Sequence, residues 1–95
     1  ILDTLKRAEV KPEEIGYIES HGTGTRLGDA IEAESIASIY GEKEPILVGA
    51  VKTNIGHLEA AAGLTGLLKV VLSLQQQIVP ANLNFKEISE HIKRF

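Results

Sequence analysis

The sequence predicts an α/β fold built around one strand–helix–strand unit, and three observations carry the prediction. Two short apolar runs, at residues 15–20 and 46–51, read as strands. A helical apolar pattern fills the interval between them. The second run is apolar almost throughout, the pattern of a strand covered on both faces, as in parallel sheets.

The elements follow in order. Ile1, Leu2, Leu5 and Ala8 stand at helical spacing over residues 1–9, and Pro12 follows as a stop. The first strand run contains Tyr17 and Ile18 and leads into a glycine-rich stretch. Residues 28–32 read as a helix start, with Asp29 as cap and Glu32, three residues on, able to reach back. Ala33, Ile36, Ala37 and Tyr40 then form an apolar face, and Gly41 suits that helix's end. Pro45 precedes the second strand. The crossover between two such strands is expected to be right-handed.

A long helix is predicted over 58–76. Its polar positions, Glu59, Lys69, Ser73 and Gln76, are few, and Ala60, Ala61, Ala62, Gly63 and Gly66 leave its first half with little side-chain bulk. A helix apolar nearly all round is a buried one, and small residues let other backbones approach closely. On its own, this chain would expose much of what that helix is meant to bury. Residues 78–85 read as an extended or looped segment, and 88–95 as a short, weak helix.

Composition narrows the function classes. With 95 residues the chain suffices for one small unit with little core to spare. Hydrophobic content of 43% and charged content of 24% are ordinary for a globular protein, which excludes a disordered tail. Aromatic content is only 4%, so aliphatic residues and alanine must fill the core. Net charge is −3 with scattered basic residues, which argues against nucleic acid as a partner. No cysteine is present, hence neither a disulfide framework nor a thiolate metal site. No signal peptide or membrane-spanning run is legible, so a cytoplasmic protein without a membrane partner is expected. Methionine is absent even at position 1, the chain opens in a helical pattern and ends without a stop signal. Residues 1–95 are therefore read as one piece of a longer polypeptide.

Two blocks concentrate the chemistry: His21-Gly22-Thr23-Gly24-Thr25 and Lys52-Thr53-Asn54-Ile55-Gly56-His57. Each sets a histidine among glycines and hydroxyl or amide side chains directly after a predicted strand. In open α/β sheets ligands bind beyond the carboxyl ends of the strands, so parallel neighbours would bring both imidazoles to one edge. The alternative is a pair of ordinary glycine-rich turns. At the start of the predicted long helix, free amides and the positive dipole end disfavour an imidazolium at His57. A neutral ring donating one hydrogen bond suits a developing oxyanion. Thr23 and Thr25 either offer two hydroxyls to a polar ligand tail or satisfy loop backbone groups. Lys52, at the end of an apolar strand, needs a partner for a partly buried ammonium, and Asp29 is the candidate. A nucleotide site lacks both glycine-rich phosphate fingerprints, and the histidines fit no metal-ligand spacing.

Taken together, His21 to Thr25, Gly28-Asp29 with Glu32, Lys52 to His57, and Ala61-Ala62-Gly63 resemble the C-terminal half of β-ketoacyl synthases, most closely the ketosynthase domains of modular polyketide synthases. The resemblance runs from residue 1 to about 85. It implies the thiolase-like layered α-β-α-β-α fold, of which this chain would hold part of the second half. It also implies decarboxylative Claisen condensation of an acyl thioester with a malonyl-type extender carried on acyl carrier protein. In that frame His21 and His57 are the catalytic histidines and Lys52 the active-site lysine. Asp29 and Asn54 are its supports, and Thr23 and Thr25 contact the phosphopantetheine arm. No bound cofactor or metal is implied. The partners are acyl carrier protein, the N-terminal half of the ketosynthase domain and a second copy in a homodimer.

The departures from that family are specific. Its nucleophilic cysteine belongs to the N-terminal half and is missing here, so residues 1–95 alone are expected to be inactive. Ser20 replaces the usual alanine or threonine, and Ala30 the usual proline. Gly66 replaces a carboxylate that discrete fatty-acid synthases place near the lysine, which favours the polyketide or multifunctional type. The alternative to an enzyme part is a non-catalytic module that docks on a carrier protein or a partner half-domain.

Overall fold

Two parallel strands form the frame, with β1 at Tyr17–Glu19 and β2 at Leu47–Gly49, paired Tyr17 to Leu47, Ile18 to Val48 and Glu19 to Gly49. The structure, a computed structural model, describes residues 1–41, 45–93 and 95. The strands are shorter than the apolar runs that predict them. Beyond the ladder the chain turns away, and Ser20 donates to the Gly49 carbonyl from both its amide and its hydroxyl.

Helix α1 spans Leu2–Ala8 and stops at Glu9, which turns left-handed, ahead of a short 3-10 turn at Pro12–Glu14. Helix α2, Arg26–Tyr40, connects the strands. It begins earlier than the sequence suggests, because Thr25 rather than Asp29 caps it: the Thr25 hydroxyl accepts the Gly28 amide at 3.2 Å. Glu32, free of any capping duty, reaches instead to the loop before the helix. The apolar face of α2 is inward as predicted, with Ile36 buried and Ala33, Ala37 and Tyr40 half-buried, and the helix ends at Gly41.

The predicted long helix over 58–76 is two pieces, and a separate short helix precedes it. Helix α3, Lys52–Ile55, follows β2. A 3-10 turn at Glu59–Ala61, entered through a left-handed Glu59, leads into helix α4, Ala62–Gln76. The predicted helix at 88–95 is not formed: the described residues there make isolated turns closed by the Ser89 carbonyl, and Arg94 lies outside the described residues.

Helix α4 packs on β1 through the face that carries Ala62, Thr65, Gly66, Lys69, Val70 and Ser73, and only Gly66 is buried. Its leucines point the other way, with Leu64, Leu67, Leu68, Leu72 and Leu74 more than half exposed. Among the described residues the buried hydrophobic core is Ile36 and Ala50. The chain exposes 7355 Å². A self-contained monomer of this mass exposes about 5,400 Å². The excess, about 2,000 Å², is the size of surface that obligate partners cover.

Candidate active site

The two histidine blocks converge, as the parallel pairing requires. The rings of His21 and His57 stand edge to face, centroids 5.3 Å apart and planes at 87°.

The first block is held by helix α2. Glu32 accepts the amides of His21 at 2.6 Å and Gly22 at 2.9 Å, and Asp29 accepts the amide of Gly24 at 3.1 Å. Two carboxylates one helical turn apart thus grip the loop that carries His21. Gly22 has φ +49°, and a Cβ there would come 2.7 Å from the Cβ of Ala50. Glycine lets the first block lie directly on the chain that leads into the second.

The second block begins where the chain leaves the sheet. The Ala50 amide donates to Asn82 Oδ1 at 3.0 Å, and the Val51 amide to Glu19 Oε1 at 2.5 Å. Thr53 Oγ1 donates to the Ala50 carbonyl and accepts the Leu83 amide. His57 follows Gly56, whose φ is +73°. His57 Nδ1 accepts the Glu59 amide at 2.9 Å. A ring nitrogen that accepts an N–H carries the lone pair, so the neutral imidazole holds its proton on Nε2. The sequence predicts His57 against the first turn of a long helix; the amide that meets it belongs to the short 3-10 turn.

The remaining predicted site residues divide. Lys52 is half-buried and opens α3 rather than ending a strand. It lines a cleft of about 390 Å³ with His21, Glu19, Ser20 and Gly66. Asp29 does not reach it, since the Asp29 carboxylate is turned to Gly24, and no described residue pairs with the Lys52 ammonium. Asn54 lines a separate groove with Thr65, Leu68 and Leu72 rather than the cleft of His21 and Lys52. Thr23 and Thr25 bring their hydroxyls to 3.3 Å of each other, and Thr25 also caps α2. At Thr25 the hydroxyl serves the backbone, which is the second of the two readings of the threonines. Among the described residues no cluster could hold a metal ion.

Sequence reasoning missed a third cluster. Glu19 Oε2 accepts from Tyr17 OH at 2.5 Å and from Lys69 Nζ at 2.7 Å, and Lys69 also donates to Tyr17 OH at 2.9 Å. The Lys69 and Glu19 side chains are only 12% and 10% exposed. Burial by itself pushes the Glu19 carboxyl up, but the bonds from Lys69, Tyr17 and the Val51 amide outweigh it and hold the group below its ordinary value. Burial likewise pulls Lys69 down, and its bonds to Glu19 and Tyr17 carry it above its ordinary value. Burial and the Glu19 bond raise the Tyr17 phenol, against Lys69. A signal existed: one charge in a short strand and one cation in an apolar helix each need a partner.

Comparison with known proteins places this geometry in a class. Residues 1–86 match the family described as "Beta-ketoacyl synthase, C-terminal domain". The chain is 52% identical over 90 residues to a phenolphthiocerol/phthiocerol polyketide synthase from Mycobacterium tuberculosis, covering 90% of this chain and 5% of that protein. It is 49% identical over 89 residues to a highly reducing polyketide synthase from Aspergillus terreus, covering 92% of this chain and 3% of that one. Among solved structures, the ketosynthase from module 1 of the bacillaene synthase of Bacillus amyloliquefaciens superposes with a TM-score of 0.86 at 41% identity, over 96% of this chain and 17% of that one. An ishigamide ketosynthase/chain length factor gives a TM-score of 0.84 at 34% identity, over 93% of this chain and 22% of that one. The fold is therefore the thiolase-like fold of ketosynthases, of which these residues form one part. The chain belongs to the β-ketoacyl synthase family and corresponds to its C-terminal domain. It spans about a twentieth or less of the length of these polyketide synthase relatives.

Proposed function

We propose that residues 1–95 supply the histidine half of a β-ketoacyl synthase site in a polyketide synthase, an acyltransferase that elongates chains carried on phosphopantetheine. The observation that supports this most directly is the edge-to-face pair of His21 and His57, with the His57 proton directed to Nε2 by the Glu59 amide. In the reaction, the bond between the α-carbon and the carboxylate of a malonyl-type thioester breaks and carbon dioxide leaves. The electron pair passes into an enolate, whose oxygen His57 Nε2–H and His21 stabilise as charge develops there. The α-carbon then attacks the acyl thioester, and the departing thiolate returns to the cysteine that held the acyl group.

That cysteine must come from another segment, and the leucine face of α4 supports the N-terminal half of the ketosynthase as its source. Helix α4 turns its small and polar residues to β1 and its leucines outward, which is the arrangement of a helix packed on both sides. Thr23 and Thr25 fit the hydrogen-bonding demands of a phosphopantetheine arm on acyl carrier protein. Lys52 adds a cation to the cleft beside His21.

The test is His57→Ala in the complete ketosynthase that contains these residues. Carbon dioxide release from malonyl-carrier protein is expected to fall by about two orders of magnitude or more. Acylation of the cysteine, read by intact-protein mass spectrometry, is expected to continue. Loss of acylation alone, with condensation by preloaded enzyme preserved, would overturn the assignment.

A further inference from the structure

We infer that Glu19 is a positioning residue which, through the Val51 amide, sets where the Lys52 turn and the second histidine block stand relative to His21. The inference rests on the ketosynthase reading above. Glu19 ends β1, two residues before His21, and Val51 is the residue immediately before Lys52. At the end of β2 the chain leaves the sheet, and two successive amides are held by side chains instead of by a strand. Ala50 donates to Asn82 and Val51 donates to Glu19.

The Glu19 carboxylate is equipped for that task. Tyr17 and Lys69 hold one oxygen from two directions, which leaves the other fixed on Val51. A Cβ at Gly66 would sit 3.2 Å from Glu19 Cγ, so α4 leaves room for the carboxylate at that level of the helix. One carboxylate thereby ties together β1, α4 and the entry to α3, the three elements that line the cleft between His21 and Lys52. Glu19 acts on the site through Val51, and it acts by reach rather than by charge.

Reach and charge separate in two substitutions. Glu19→Gln keeps the reach, with its one oxygen on the Val51 amide and its amide nitrogen donating to the Tyr17 hydroxyl, and removes the charge that pairs with Lys69. Glu19→Asp keeps the charge and shortens the side chain by one carbon–carbon bond, about 1.5 Å. Both are made in the complete ketosynthase, with carbon dioxide release from malonyl-carrier protein, cysteine acylation, thermal midpoint and hydrogen exchange of the Val51 amide measured together. For Glu19→Gln, kcat is expected within about threefold of the unmodified enzyme and Val51 stays protected. For Glu19→Asp, kcat is expected to drop about tenfold or more, since a misplacement of about 1 Å at the reacting groups costs up to about a hundredfold. Its KM and acylation rate stay unchanged, and Val51 exchanges faster. The thermal midpoints are expected in the opposite order, since only Glu19→Gln breaks the ion pair.

An aspartate variant that turns over as fast as the glutamine variant would overturn the inference. So would kcat falling in step with the thermal midpoint, or failure of both variants to fold, which would make Glu19 a residue of stability alone. If the unmodified enzyme releases no carbon dioxide, the ketosynthase reading fails instead, and the order of Val51 exchange decides for or against Glu19.

Discussion

Replacing Leu68 and Leu72 of helix α4 by glutamate separates a covered helix face from a wet one. Glutamate nearly matches leucine in helix propensity, so the helix itself is little affected. The two side chains are 53% and 56% exposed in residues 1–95, so each has about half its burial still to gain. Full burial of a leucine contributes about 2 kcal/mol. In the isolated chain each substitution therefore forfeits about 1 kcal/mol at most, part of which the glutamate stem restores. Against a partner half, each forfeits the other 1 kcal/mol or so and places a carboxylate in an apolar contact, which costs several kcal/mol more. The expected outcome is opposite in the two settings. Residues 1–95 carrying both changes should be more soluble and less self-associated by analytical ultracentrifugation. Co-expression with a cysteine-bearing N-terminal half should yield no complex, a loss of at least a hundredfold in association. A double variant that still assembles and condenses like the unmodified enzyme would refute the packing argument.

Two further outcomes follow from single contacts. Gly22→Ala puts a methyl against Ala50 in a left-handed backbone, for a destabilisation of about 2–4 kcal/mol in urea unfolding of the complete ketosynthase. Adding Ala50→Gly should recover part of that loss, and no recovery would place the cost elsewhere. The Tyr17–Glu19–Lys69 cluster shapes stability against pH. Glu19 is held below its ordinary value of 4.5, so its contribution is present above that pH and lost on acidification. Lys69 and Tyr17 stand above their ordinary values of 10.5 and 10.0, so theirs is present below those and lost as pH rises further. Thermal midpoints should be flat between these limits, and Lys69→Met should remove much of the dependence on both sides; an unchanged profile in that variant would show that other groups set it.

What the amino-acid sequence determines here is local. The parallel strand–helix–strand frame follows from apolar runs and a helical period, and the histidine blocks follow those strands because glycine-rich turns do. Their convergence needs nothing beyond the parallel pairing, so it was legible too. What tertiary structure decided is every choice between equivalent local options. Thr25 and Asp29 are both good caps, and Thr25 holds the position while Asp29 is drawn to the Gly24 amide. Lys52 and Asp29, plausible partners by sequence, are held apart because Asp29 joins Glu32 in holding the His21 loop. A helix apolar on all sides carries no periodic signal for which face meets the sheet. In α4 that choice fell to a pairing across fifty residues, Lys69 with Glu19, and to the gap at Gly66 beside it. Periodicity encodes what a segment is, whereas its orientation depends on a charge that must find its counter-charge when water is withdrawn.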